Sequence, residues 1–145
     1  MASFYIGPTD FADMVVDRFL KGISRRFKPS GTGSMEIIEE LGQQAKQRLH
    51  RQGCTNIELK IANGYHGWSE HAPFDKVIVT AAPDLIPAPL IHQLKTGGRM
   101  VIPAGLPDAQ QLLVVEKHSN GRVTTREILQ VRFSQLEDTA TRTAS

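Results

Sequence analysis

The sequence predicts an α/β domain built on a parallel sheet and closed by an antiparallel hairpin. Three observations carry this expectation. Two short runs, Val77-Ile78-Val79 and Met100-Val101-Ile102, are apolar at every position, as strands covered on both faces are. Helical periodicities precede and separate the strands, in the order helix, helix, strand, strand, helix, strand, hairpin. Such alternation favours parallel pairing. Finally, Asn120-Gly121 lies between the apolar runs Leu112–Glu116 and Val123–Val131, a strong signal for two adjacent antiparallel strands.

Taken in order, residues 9–27 read as an amphipathic helix. Thr9 or Asp10 can cap it, and Phe11, Val15, Phe19, Ile23 and Phe27 recur every fourth residue, with Met14 widening the stripe. A Pro/Ser/Gly linker follows over residues 28–34. A second helix is expected over 35–52, capped by Ser34, with Glu36, Glu39 and Glu40 near its start and Lys46, Arg48 and Arg51 near its end. Ile37, Ile38, Leu41, Ala45 and Leu49 form its apolar face, and Gly53 stops it. Ile57-Glu58-Leu59-Lys60-Ile61 alternates and reads as a strand with one buried face. Pro87 or Pro89 opens a short helix that reaches about Leu94, before Gly97-Gly98. Residues 137–145 are polar and are expected to form a disordered tail. The expected divisions are therefore a helical segment over 1–28, a domain over 31–136, and the tail.

The 145 residues suffice for one core, with 40% apolar and 22% charged residues. Seventeen basic and 15 acidic side chains leave a formal charge of +2, too small a bias to imply nucleic acid. The local cluster Lys21, Arg25, Arg26 and Lys28 reads as a solvated helix end or as a binding patch. Cys54 is alone, so no internal disulfide can form, and no run approaches the length of a membrane span. With no signal peptide, a cytoplasmic location is expected. His66 and His71 stand five apart with no third ligand nearby, so no metal site is expected.

The stretch Asn63-Gly64-Tyr65-His66-Gly67-Trp68-Ser69-Glu70-His71-Ala72-Pro73-Phe74-Asp75-Lys76-Val77-Ile78-Val79-Thr80-Ala81-Ala82 resembles the pattern DGYxGWxExAPFDxIxVTAA of the protein-L-isoaspartate O-methyltransferase family. Leu94 to Gly105 is similar to that family's LKPGGRLVIPVG, and Met35 to Leu41 to its SIEIIEEL. Gln110-Gln111-Leu112 and Val131-Arg132-Phe133 also match, so the resemblance spans residues 31–136 in register. It implies S-adenosylmethionine as cofactor and isoaspartyl residues of damaged proteins as substrate, their stray carboxyl being methylated as the first step of repair. The implied fold is a Rossmann-like, S-adenosylmethionine-dependent methyltransferase sheet that ends in an antiparallel hairpin.

By the same resemblance, Asn63 and Gly64 sit at the adenine end, although a tight turn accounts for them too. The family prefers Asp at the position of Asn63. Glu36 matches the acidic residue that binds the ribose hydroxyls, while helix N-terminal charge explains it equally well. Thr80, Ala81 and Ala82 end a central strand where small side chains let backbone approach a ligand, Thr80 on the cofactor side and the alanines on the substrate side. Val131, Arg132 and Phe133 match the substrate-side segment, or else serve as hairpin core. Trp68 reads as a packing anchor. No catalytic acid, base or nucleophile is implied, because a carboxylate is already ionised at neutral pH.

Gly31-Thr32-Gly33-Ser34 matches the first half of the family's glycine loop GTGSGY, which makes Gly31, Gly33 and Ser34 candidate cofactor contacts. Gly33 and Glu36 are only three apart, however, whereas neighbouring parallel strands need a crossover of a dozen or more residues. The fold is therefore expected to lack its first two strands. Phe4-Tyr5-Ile6 offers a short substitute strand. Ile57–Ile61 would be left with an open edge, through which a homo-oligomer could form. The expected function is isoaspartyl methyl transfer with impaired activity. The alternative is a catalytically dead remnant that binds peptides or a partner.

Overall fold

The computed structural model describes residues 3–6, 32–37, 39–53 and 57–136. Within them lie β1 (Ser3–Ile6), β2 (Thr32–Glu36), α1 (Glu39–Arg51), β3 (Ile57–Ile61), β4 (Phe74–Val79), α2 (Ala88–His92), β5 (Leu94–Ala104), β6 (Gln110–Lys117) and β7 (Val123–Val131). Two 3-10 turns, Gly64–His66 and Ser69–His71, occupy the connection from β3 to β4. The strands make one sheet in the order β3-β2-β1-β4-β5-β6-β7. The first five pair in parallel, and β6 and β7 add antiparallel.

Two expectations are overturned at the start of the chain. The first two strands are not missing: β1 pairs in parallel with β2 on one side and with β4 on the other. The crossover between them is supplied by residues 7–31, which exceed the length that parallel neighbours require. Phe4-Tyr5-Ile6, the short substitute, lies in this central strand.

The Thr32-Gly33-Ser34 stretch is likewise no loop and no helix cap. It is the body of β2, in register with Ser3–Tyr5 of β1 and Ile57–Leu59 of β3. Ladder hydrogen bonds from two neighbours outweigh the weak strand propensity of Gly and Ser. The second helix consequently starts at Glu39, not at residue 35. The amphipathic helix expected over 9–27 and the tail over 137–145 lie outside the described residues.

α1 packs on β2 and β3 through Gly42, Ala45 and Leu49, all buried. A Cβ at Gly42 would press on Ile61 Cγ1 and Cδ1, so the missing side chain sets how closely the helix approaches the sheet. Glu39 and Glu40 in its first turn and Arg48, His50 and Arg51 in its last match the helix dipole.

The core gathers Met35 of β2, Phe74, Val77 and Val79 of β4, Leu90 of α2, Leu94, Met100 and Ile102 of β5, and Val115 of β6, with Trp68 from the β3–β4 connection. Phe74, Met100, Ile102 and Val115 are wholly buried. Fully burying one such side chain contributes about 1.5–3 kcal/mol, so this cluster is the main source of the sheet's stability. Trp68, buried in this cluster, packs as the sequence suggested.

β5 is longer than the apolar run Met100–Ile102, because its start, Leu94, already pairs with Phe74. The register shifts between Phe74 and Lys76, as β5 carries the extra residues around Gly97, whose φ is +83°. The hairpin closes as expected. His118 N donates to Arg122 O at 2.8 Å, Gly121 N donates to His118 O at 2.9 Å, and Gly121 takes φ +81°. β3 is the edge strand of the sheet: its inner side pairs with β2, so no strand is missing there, and among the described residues its outer side carries no strand partner.

Candidate functional site

Chain direction along the sheet locates the site. From β1 the chain moves outward to β2 and β3, then returns to β4 on the opposite side of β1. In an open parallel sheet, ligands sit outside the carboxyl ends of the strands at this reversal. Ile6 pairs with both Met35 and Val79, so Glu36 and Thr80, one residue beyond each, stand level on either side of the end of β1. Two strand spacings of about 4.8 Å separate them. Glu36 also pairs with Ile61, which brings Asn63-Gly64 to the same edge one strand further out.

Glu36 is buried, with 4% of its surface exposed. Its position at the end of β2 explains why the residue is there better than helix N-terminal charge does, since α1 begins three residues later. Ala62 N donates to the Glu36 carbonyl at 3.0 Å, so the exits of β2 and β3 are tied together. Asn63 then caps the first 3-10 turn, its Oδ1 accepting from Tyr65 N at 3.0 Å. The turn reading of Asn63-Gly64 and the ligand reading are thus compatible, because an amide oxygen offers two acceptor sites.

This connection is held from below by a residue the sequence did not single out. Gln93, just after α2, accepts from Trp68 N at 2.8 Å through Oε1 and donates from Nε2 to His66 O at 3.0 Å. Gly67 passes between these two anchors with φ +65° and ψ −153°, a region that only glycine enters without strain. A Cβ there would also overlap the Gln93 amide. Further out, His71 Nε2 lies 3.2 Å from Glu58 Oε2, the His71 ring meets the Trp68 edge with centroids 4.5 Å apart, and Lys60 Nζ lies 5.5 Å from the Trp68 ring centroid.

On the opposite side of the reversal, Thr80 is half-buried and Ala81 and Ala82 are buried. Ala82 N donates to Ser134 O at 2.7 Å, and Leu136 N donates to Ala82 O at 2.9 Å. The chain leaving β7 therefore crosses back onto the end of β4 as a one-bridge parallel extension. Gln110 fastens it: Oε1 accepts from Phe133 N at 2.7 Å and Nε2 donates to Phe133 O at 3.1 Å. Gln110 is 2% exposed, so its end of both bonds is shielded from water, while Phe133 is half-buried. Val131 and Phe133 are half-buried and Arg132 is exposed; the three lead from the end of β7 into the Ser134–Leu136 stretch that bonds Ala82.

Of the sequence candidates, Glu36, Asn63, Gly64 and Thr80 come to one edge with Ala81 and Ala82 following Thr80, while Val131, Arg132 and Phe133 precede the Ser134–Leu136 stretch that bonds Ala82. Gly33 and Ser34 do not join them as a loop; they are interior residues of β2, and Gly31 lies outside the described residues. Among the described residues no group of three or more His, Cys, Asp or Glu could hold a metal. No described helix is long and apolar enough to cross a membrane.

The family profile "Protein-L-isoaspartate(D-aspartate) O-methyltransferase (PCMT)" matches residues 23–141. A protein-L-isoaspartate O-methyltransferase 1 from Polaromonas sp. (strain JS666) is 70% identical over 105 residues, covering 72% of this chain and 44% of the relative. A solved protein-L-isoaspartate O-methyltransferase superposes with a TM-score of 0.79 at 26% identity, over 95% of this chain and 42% of the other. A Plasmodium falciparum protein solved with S-adenosyl-L-homocysteine shares the fold, with a TM-score of 0.76 at 20% identity, over 94% of this chain and 65% of that one. The chain thus spans about half the length of the curated relatives it matches. With its Rossmann-like methyltransferase sheet and a profile match over most of its length, this chain belongs to the protein-L-isoaspartate(D-aspartate) O-methyltransferase family.

Proposed function

We propose that this chain binds S-adenosylmethionine at the ends of β2, β3 and β4 and methylates isoaspartyl carboxylates of damaged polypeptides. One observation carries the reading. The strand register sets Glu36, Asn63 and Thr80 around the end of β1, with Phe133 strapped alongside.

The residues suit the cofactor. A buried carboxylate at the end of β2 can accept from two vicinal hydroxyls, which is what a ribose presents. Asn63 Oδ1, one strand out, suits an exocyclic amine at the far end of the same nucleoside. The small residues Ala81 and Ala82 leave room for backbone to approach the reacting groups. When bound, the cofactor supplies a sulfonium methyl, whose carbon bonds to a carboxylate oxygen as the electron pair of the broken bond returns to sulfur.

The protein's part in such a transfer is positional. A carboxylate with a pKa of about 4 is ionised at pH 7, so no residue has to remove a proton. Catalysis then rests on alignment, which fixed strand ends and a fastened flank provide. Val131, Arg132 and Phe133 on that flank would hold the polypeptide. Arg132, exposed just beyond β7, suits an acidic substrate group.

Calorimetry with S-adenosylhomocysteine and the full chain tests the reading, followed by methyl transfer to an isoaspartyl peptide. Saturable binding and transfer are expected. Absence of heat and of any thermal shift at millimolar ligand removes it. A second reading is a catalytically dead chain that binds peptides or a partner. Peptide binding with no cofactor binding would establish it. The reading also includes pairing of two copies through the outer margin of β3, for which sedimentation should show a dimer growing with concentration.

A further inference from the structure

We propose that Gln93 and Gln110 are positioning residues that set the two halves of this site separately, Gln93 the nucleoside half and Gln110 the polypeptide half. The inference rests on the function proposed above for its ligands, but its geometry stands on the fold alone.

The two side chains do the same thing in different places. Each primary amide spends its oxygen on a backbone N–H and its nitrogen on a backbone carbonyl, as a neighbouring strand would. Gln93 bridges Trp68 N and His66 O. Gln110 bridges both backbone groups of Phe133. At these atoms the glutamine amide makes the contacts that a neighbouring strand makes elsewhere in the sheet. A primary amide presents a donor and an acceptor side by side, as a peptide group does; a carboxylate would turn its second oxygen on a carbonyl.

Each clamp serves one half. The Gln93 segment is continuous with Asn63–Tyr65, the turn that meets the edge beside Glu36. The Gln110 segment continues into Ser134 and Leu136, which bond to Ala82. Gln93 leaves α2 and Gln110 opens β6, so the clamps stand on different elements and share no bonded residue. Loss of one should leave the other half in place.

The test compares the full wild-type chain with Gln93→Met and Gln110→Met, which keep length and volume but make no hydrogen bond. Affinity for S-adenosylhomocysteine is read by calorimetry, affinity for an isoaspartyl peptide by fluorescence polarisation, and backbone amide exchange at Trp68 and Phe133 by mass spectrometry or NMR. Gln93→Met should weaken the nucleoside ligand about tenfold and speed exchange at Trp68, with peptide affinity and Phe133 unchanged. Gln110→Met should do the reverse, weakening the peptide about tenfold. Gly67→Ala, whose Cβ displaces the Gln93 amide, should reproduce the first pattern. Should Gln110→Met not fold, Gln110→Asn, with both amide functions on a shorter stem, should give the same one-sided effect at smaller size.

Equal losses in both ligands from either variant, or exchange at Trp68 and Phe133 that does not respond to its own clamp, would overturn the proposal. If the wild type binds neither ligand, the proposed function fails, and the exchange arm alone decides whether the two clamps act independently.

Discussion

At the scale of single residues, the site is made by where strands stop. Glu36 is buried because it ends β2 between two paired neighbours, a position that suits the nucleoside contact proposed for its carboxylate. Hydrogen bonds to a charged group contribute about 1.5–3 kcal/mol, so Glu36→Gln should weaken S-adenosylhomocysteine about ten- to hundredfold in calorimetry, with little change in melting temperature. Gly67 is the backbone counterpart. Its φ and ψ lie where only glycine is unstrained, so Gly67→Ala should also cost about 1–3 kcal/mol in a denaturation experiment. The motifs single out Glu36, Asn63 and Thr80, which the strand register brings to one edge. They do not single out Gln93: nothing in the order of residues marks a side chain whose partners lie 25 and 27 positions away.

At the scale of elements, legibility followed the strength of the local pattern. β3 alternates, β4 and β5 carry runs apolar at every position, and Asn120-Gly121 marks the final turn; each of these was read correctly from composition and period. β2 was not, because Thr-Gly-Ser supplies the signals of a loop, and the two ladders that make it a strand come from residues distant in sequence. Proline separates the two readings cleanly. At the start of a helix it is welcome, whereas within a doubly paired strand it removes a ladder donor. Met35→Pro should therefore destabilise the chain by at least about 1–3 kcal/mol, from the orphaned partner alone, in chemical denaturation. An unchanged midpoint would restore the helix assignment. For the core elements, Phe74→Ala should cost about 3–5 kcal/mol, since the ring is wholly enclosed by β4, β5 and their cover.

At the scale of the whole molecule, the governing feature is an unbroken parallel sheet across β3-β2-β1-β4-β5 with its reversal at β1. Neighbouring parallel strands do need a crossover of a dozen or more residues, and here it precedes the glycine stretch instead of following it. Gly33 and Glu36 lie on one strand, and residues 7–31 provide the span to β1. With the sheet intact, the grounds for expecting an impaired nucleoside site from missing strands disappear. The measurement that tests this account most directly is amide hydrogen exchange of the full chain with and without S-adenosylhomocysteine. Protection is expected at Ile37, Asn63–Tyr65 and Thr80–Ala82, where three strands end around β1. Protection confined to Gly31–Ser34, or none at those strand ends, would contradict it.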